Sequence, residues 1–290
     1  MTNLIAFGEV LWDVIDGDPH IGGAPLNLAA HAVRCGLRAA VVSSVGDDAL
    51  GDRALDEMRQ LGVENKWTVV DRLHPTGTVT VTLKGGQPSY TIHEGVAWDY
   101  IHLEPRAFQA VASEQPRVFC FGTLAQRTDV SRQTLRHLLE AFKDAVIFYD
   151  VNLRQHFWSG PLVEEGLARA TLVKVNDEEA KVLGGLLFDG ACEPETFARA
   201  VLARHPIRAV IVTLGADGCL VCERDKDVVR CLGIKVQVVD AVGAGDAFSA
   251  AFLASWLCGA SAVAAAEAGN KRGAWVASHR GAVPEEEGRQ

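Results

Sequence analysis

Apolar positions alternate between two patterns along most of the chain. Short aliphatic and β-branched runs at 4–8, 39–45, 118–121, 146–150, 172–175 and 209–214 have the length and composition of buried strands. Between them, 26–35, 49–61, 131–142, 177–183 and 195–203 carry apolar residues at helical spacing, as do 244–258 and 262–278 late in the chain. Strand and helix alternating from end to end predict an α/β fold around a largely parallel sheet. One region breaks the alternation: 67–70, 78–83 and 89–93 read as consecutive strands, with Lys84-Gly85-Gly86-Gln87 as a hairpin turn. With 10–21, the span 67–100 is expected to form a small β insert. It would be either a lid that closes on substrate or an edge extension of the sheet.

A length of 290 residues buries an ample core, and a single domain over 1–290 is expected. The 28 basic and 37 acidic side chains leave a net charge of −9. No Lys/Arg cluster offers a footprint for phosphodiester backbones or anionic membranes, so neither partner is expected. The longest apolar stretches, such as 244–257, are short for a membrane span and are interrupted by Asp246 and Ser249. Met1-Thr2-Asn3 does not open a secretory segment, and a cytoplasmic protein is expected. The seven cysteines are scattered in apolar runs, which argues against a disulfide framework. Cys219 and Cys222 form a CxxC, but in a strand-like run i and i+3 face opposite sides of the sheet.

Candidate chemistry concentrates in Val238-Val239-Asp240-Ala241-Val242-Gly243-Ala244-Gly245-Asp246-Ala247-Phe248. A β-branched run meets two glycines and then a helix start. Glycines let the backbone approach a ligand closely, and the first N–H groups of the helix favour an anion there. Asp246 falls in the first turn, where the helix dipole favours the ionised carboxylate, ready to take a proton. A cap and a turn would also use these residue types. No Walker loop is present, and the third glycine of a dinucleotide fingerprint is replaced by Phe248. Protein-kinase motifs are missing as well. Near the start, Gly22-Gly23-Ala24-Pro25-Leu26-Asn27 leads into a helix, and Gly8-Glu9-Val10-Leu11-Trp12-Asp13 follows the first strand. Asp13 and Asn27 are suited to polyol hydroxyls, or to turn formation and capping.

In content and order, these two glycine motifs resemble the ribokinase/PfkB sugar kinases, over nearly the whole chain. Bacterial fructokinase-like members look most similar, given Asp150-Val151-Asn152-Leu153-Arg154 with Trp158, and Lys174-Val175-Asn176-Asp177-Glu178-Glu179. The resemblance implies a ribokinase-like three-layer α/β/α Rossmann-like body with a small β-sheet lid, ATP as phosphoryl donor and Mg²⁺ as its partner. It implies Asp246 as catalytic base, with the Gly243, Ala244 and Gly245 amides as anion hole. Arg154 is expected to offset the transferring charge, with an ion pair to Asp150 as the alternative. Asp13, Gly23 and Asn27 match sugar contacts. Asn176 and Glu179 match an Asn-x-x-Glu motif linked to metal and phosphates, a pattern that a surface helix start shares. Thr213, Gly215 and Gly218 match the nucleotide-side strand and turn, and Asn270 the helix flanking adenine. Asp240, the Val242 carbonyl and Gly281 lie where many members hold K⁺; a homodimer is left open.

The chain departs from the family pattern at Ala241, where Thr is frequent, and at His93-Glu94-Gly95-Val96-Ala97-Trp98, where many relatives carry an Arg. Glu94 is expected to accept hydroxyl hydrogen bonds, or to face solvent. The expected reaction is phosphorylation of a primary hydroxyl of a small sugar, most naturally fructose. The alternatives are a 2-keto-3-deoxygluconate or other sugar-acid kinase and, in another class, a catalytically inactive sugar- or nucleotide-binding sensor. Asp246 with both glycines speaks against the sensor, and the late Gly-x-Gly against an NAD-dependent oxidoreductase.

Overall fold

The computed structural model describes residues 2–84 and 87–286; Gly85 and Gly86 of the expected hairpin turn lie outside them. In chain order the elements are β1 (Leu4–Phe7), β2 (Leu11–Ile15), β3 (Asp18–Gly22), α1 (Ala24–Arg34), β4 (Ala39–Gly46), α2 (Ala49–Gln60), β5 (Thr68–Asp71), β6 (Gly77–Lys84), β7 (Gln87–Ile92) and α3 (Pro105–Ala112). There follow β8 (Val118–Phe121), α4 (Asp129–Ala141), β9 (Val146–Asp150), α5 (Gly160–Arg169), β10 (Leu172–Asn176), α6 (Asp177–Leu187), α7 (Pro194–Arg204) and β11 (Ala209–Thr213). The chain ends with β12 (Gly218–Glu223), β13 (Val229–Leu232), α8 (Ala244–Leu257) and α9 (Ala262–Ala277).

Among the described residues the main sheet has nine strands in the order β13-β12-β11-β10-β9-β8-β1-β4-β5. Neighbours from β11 through β5 run parallel, and β12 and β13 close one edge antiparallel. Side chains alternate across the sheet as a period of two demands: Ile5 and Phe7 enter one core, Leu4 and Ala6 the other. Leu138, Val163, Leu183 and Val201 bring α4 to α7 onto the first face, while Leu26, Met58, Phe252 and Ala265 bring α1, α2, α8 and α9 onto the second. This is the expected three-layer α/β/α body. Cys222 and Cys219 enter the first and second cores respectively, and both are free thiols. Among the described residues no helix is long and apolar enough to cross a membrane.

A separate four-stranded sheet runs in the order β3-β2-β6-β7, with only the β2–β6 pair parallel. The insert is thus narrower than expected. β5 is not part of it: Thr68–Asp71 pairs parallel with β4 at the edge of the main sheet, completing a β4-α2-β5 crossover. The run of apolar residues showed a strand but not which sheet would hold it. Helices α3 and α5 lie where no helix was expected. Both carry a proline in the first turn, where its missing N–H costs no helical bond, and Ser159 caps α5.

Strand β1 lies between β4 and β8, so successive connections leave it toward opposite edges of the sheet. The crevice outside the carboxyl ends of such strands is where open α/β sheets bind ligands. Gly8 and Glu9, Gly122 and Thr123, Asp150 to Arg154, and Asn176 all follow or end strands there.

Candidate active site

The start of α8 is built for close backbone approach. Gly243 caps it in a left-handed conformation at φ 76, and a Cβ there would sit 2.5 Å from the Ala282 carbonyl oxygen. The first hydrogen bond of the helix runs from the Ala247 N–H to the Gly243 carbonyl at 2.9 Å. The Ala244 N–H instead closes a turn onto the Ala241 carbonyl at 3.3 Å. Of the expected trio of amides, that of Ala244 is thus engaged in a turn, while the Gly245 amide, with that of Asp246, precedes the first helical bond at the positive end of the dipole.

Asn27 brings the two glycine motifs together. Its Nδ2 donates to Asp246 Oδ2 at 2.9 Å across 219 residues of sequence. The preceding Gly23 has φ 111, and a Cβ on it would lie 2.3 Å from the Glu9 carbonyl oxygen, so α1 starts against the β1 loop. Burial pushes the Asp246 carboxyl up to about 6, and the Asp150 charge adds to this; Asn27, Lys174 and Arg154 offset part of it. The dipole argument alone had favoured full ionisation, and desolvation outweighs it. A base with this affinity remains mostly ionised near neutral pH and accepts a proton more readily than an ordinary carboxylate.

Asp13 lies on β2 opposite His20, with burial raising its pKa and Arg154 and His20 opposing the rise. Glu9, for which the sequence predicts no role, is buried beside them. Its Oε1 accepts the Ala24 N–H at 3.2 Å, and burial pushes its carboxyl up to about 7, with Asp246 adding to the shift. A lone acidic residue two positions beyond β1 is its only sequence signal. Arg154, exposed on the loop after β9, acts on Glu9, Asp13 and Asp246 together. Its alternative pairing with Asp150 is overturned: Asp150 is held by Lys174 at 2.8 Å, and 151–154 is not helical. Glu94 is exposed in the bend after β7 and is not among the groups acting on these carboxyls. A cation does reach the base of the insert from elsewhere, since Arg127 donates to the His93 carbonyl at 2.6 Å. Asp99 pairs with the same guanidinium at 2.6 and 2.8 Å.

On the nucleotide side, Asn176 and Glu179 form a capping box for α6. Asn176 Oδ1 accepts the Glu179 N–H at 2.7 Å, and Glu179 Oε2 accepts the Asn176 N–H at 2.9 Å. Glu179 Oε1 accepts the Leu153 N–H at 2.8 Å, which fixes the loop carrying Arg154. Each Glu179 oxygen thus accepts one amide, which leaves a lone pair on both for a water or a metal ion. Among the described residues no group of three or more His, Cys, Asp or Glu could hold a metal ion. Thr213 ends β11 with Oγ1 donating to the Val175 carbonyl at 3.3 Å. Gly215 (φ 56) and Gly218 (φ 93) make the following turn, where a Cβ on Gly218 would meet the Cys231 carbonyl oxygen at 2.1 Å. Asn270 is buried and donates to the Leu232 carbonyl at 3.2 Å, stapling β13. Asp240, Val242 and Gly281 do meet, but as a hydrogen-bonded turn: the Asp240 carboxylate accepts the Val242 and Gly281 N–H groups, each at 3.0 Å.

The sequence profile of the pfkB family carbohydrate kinases matches residues 2–287. An uncharacterized sugar kinase of Pyrococcus horikoshii is 30% identical over 268 residues, covering 86% of this chain and 81% of its own length. Fructokinase-1 of Oryza sativa subsp. japonica is 29% identical over 311 residues, covering 97% and 93%. The solved structure of the Pyrococcus sugar kinase in complex with ATP superposes with a TM-score of 0.83 at 26% identity, over 97% of this chain and 94% of that one. Both glycine motifs lie inside the matched span and meet at Asp246, and the chain belongs to the pfkB family of carbohydrate kinases.

Proposed function

We propose that the protein transfers the γ-phosphoryl group of MgATP to a primary hydroxyl of a small neutral sugar, with fructose as the preferred acceptor. The observation that carries this reading is the Asn27–Asp246 contact, which holds a carboxylate of raised proton affinity at the amino end of α8. Asp246 takes the proton of the acceptor hydroxyl as its oxygen attacks the γ-phosphorus. The new O–P bond forms while the bond to the β-phosphate oxygen breaks, and ADP leaves. The Gly245 and Asp246 amides and the Arg154 guanidinium offset charge spreading over the transferring group, the dominant requirement of phosphoryl transfer. Asp13, Asn27 and the backbone at Gly23 are suited to sugar hydroxyls, and Thr213, Gly215 and Gly218 to the nucleotide. Mg²⁺ arrives as part of the substrate, since it is bound chiefly through phosphates and water. The insert carries Asp13 on β2, which supports its role as a lid over the sugar.

A neutral acceptor is favoured because a buried carboxylate needs a cationic partner. Arg127 is already paired with Asp99, and Glu94 would repel an acid approaching the insert. The relatedness to a rice fructokinase supports a ketose. Arg154 is the one observation that favours the sugar-acid reading. Comparing kcat/KM for fructose and 2-keto-3-deoxygluconate at saturating MgATP separates them: the ketose is expected to give the higher value, and a higher value for the acid overturns the neutral-acceptor reading.

A further inference from the structure

Lys174 takes no part in the roles above, yet it is a buried cation directly behind the start of α8. It sits mid-strand on β10, and its Nζ donates to both oxygens of the buried Asp150, at 2.8 and 2.9 Å. Ser249 Oγ, on α8 and fully buried, lies 2.9 Å from Asp150 Oδ2 and 3.0 Å from the Gly245 carbonyl, so its single proton serves one or the other. The same Nζ lies 3.5 Å from where a Cβ on Gly245 would be. Stability alone does not account for such a pair, because apolar replacements of buried ion pairs are often neutral or stabilising. Its position does. Asp246 is faced by Asp150 and Lys174 from β9 and β10, by Arg154 from the following loop, by Glu9 after β1, and by Asn27 from α1.

Resting on the phosphoryl-transfer reading, we infer that the Lys174–Asp150 pair is a positioning device for catalysis: through Ser249 it fixes the first turn of α8, and its two charges set the surroundings of Asp246. The device has an electrostatic signature that a merely structural pair lacks. Removing the cation leaves Asp246 facing an uncompensated anion, so its protonation shifts to higher pH; removing the anion shifts it to lower pH.

The test is a carbon-13 titration of the Asp246 carboxyl in wild type, Lys174→Met and Asp150→Asn, with the pH profile of kcat/KM measured alongside. Opposite displacements of about half a pH unit or more are expected, and the acid limb of kcat/KM should move with each. In Lys174→Met, kcat should fall about 10- to 100-fold while KM for the sugar stays within about threefold, as displacement of a catalytic turn requires. Should Lys174→Met fail to fold, Asp150→Asn decides by itself, because its amide oxygen still accepts from Lys174. Titrations that stay put, or that move the same way in both variants, overturn the inference. A wild type inactive on every sugar overturns the phosphoryl-transfer reading instead, and the carboxyl titration still decides whether the pair governs Asp246.

Discussion

Replacing Asp246 by Asn removes the proposed base and also relieves an electrostatic penalty, so activity and stability should move in opposite directions. Burial and Asp150 lift the carboxyl from 3.8 to about 6. At about 1.4 kcal/mol per pH unit, ionising it inside the folded protein costs roughly 3 kcal/mol more than in water. A folded-state pKa raised in this way gives stability that is complete below 3.8 and is lost as pH rises through about 6. Asn cannot ionise, and its amide oxygen can still accept from Asn27 Nδ2. The variant should therefore match wild type near pH 4 and exceed it increasingly toward pH 8, by up to about 3 kcal/mol, or several degrees in Tm. Over the same range kcat should fall by about 10²–10⁴, with little change in sugar KM. Denaturant melts at a series of pH values, paired with steady-state kinetics, test both halves. Near-wild-type turnover refutes the base assignment, and a stability difference independent of pH refutes the burial argument.

Arg154→Lys should lower kcat/KM by about tenfold with Tm nearly unchanged, because an ammonium cannot span oxygen pairs as a planar guanidinium does; lost stability with intact kinetics would give it a structural role. Glu9→Gln keeps an oxygen for the Ala24 N–H, and because burial already leaves the Glu9 carboxyl mostly protonated where Asp246 titrates, the acid limb of kcat/KM should stay within about half a pH unit; a larger move would contradict the charge arrangement. Gly243→Ala places a Cβ 2.5 Å from the Ala282 carbonyl oxygen at a left-handed φ of 76. It should cost at least about 1 kcal/mol in a thermal melt and reduce kcat, and an undisturbed variant would show that the cap tolerates a side chain.

The body of the fold is visible in the sequence because a parallel sheet buried on both faces writes short apolar runs separated by amphipathic helices. Membership of a sheet is not written there. Thr68–Asp71 reads as a strand either way, and only its pairing with β4 removes it from the insert. Helices α3 and α5 are not expected from the apolar spacing, and their sequence sign is a proline in the first turn, Pro105 and Pro161, where its missing N–H costs no helical bond. Within the site, Gly243, Gly245 and Asp246 are legible because a strand, a glycine turn and a helix are contiguous. The Asn27–Asp246 contact is not, since nothing local signals a partner 219 residues away. Lys174 is hidden for a related reason: a charged residue inside a strand usually faces solvent, and its burial depends on Asp150 from the neighbouring strand. Glu179 and Asn270 match family positions, and their bonds to the Leu153 amide and the Leu232 carbonyl involve backbone groups that only the fold brings near.

The most direct test of the account is to incubate the wild-type protein and Asp246→Asn with MgATP and a panel of ketoses, aldoses, nucleosides and sugar acids, and to identify products by mass. The account predicts a phosphorylated sugar, fructose foremost, formed in step with ADP by the wild type and nearly lost in the variant. ADP appearing with no phosphorylated sugar from any member of the panel, or equal product from both proteins, would contradict it.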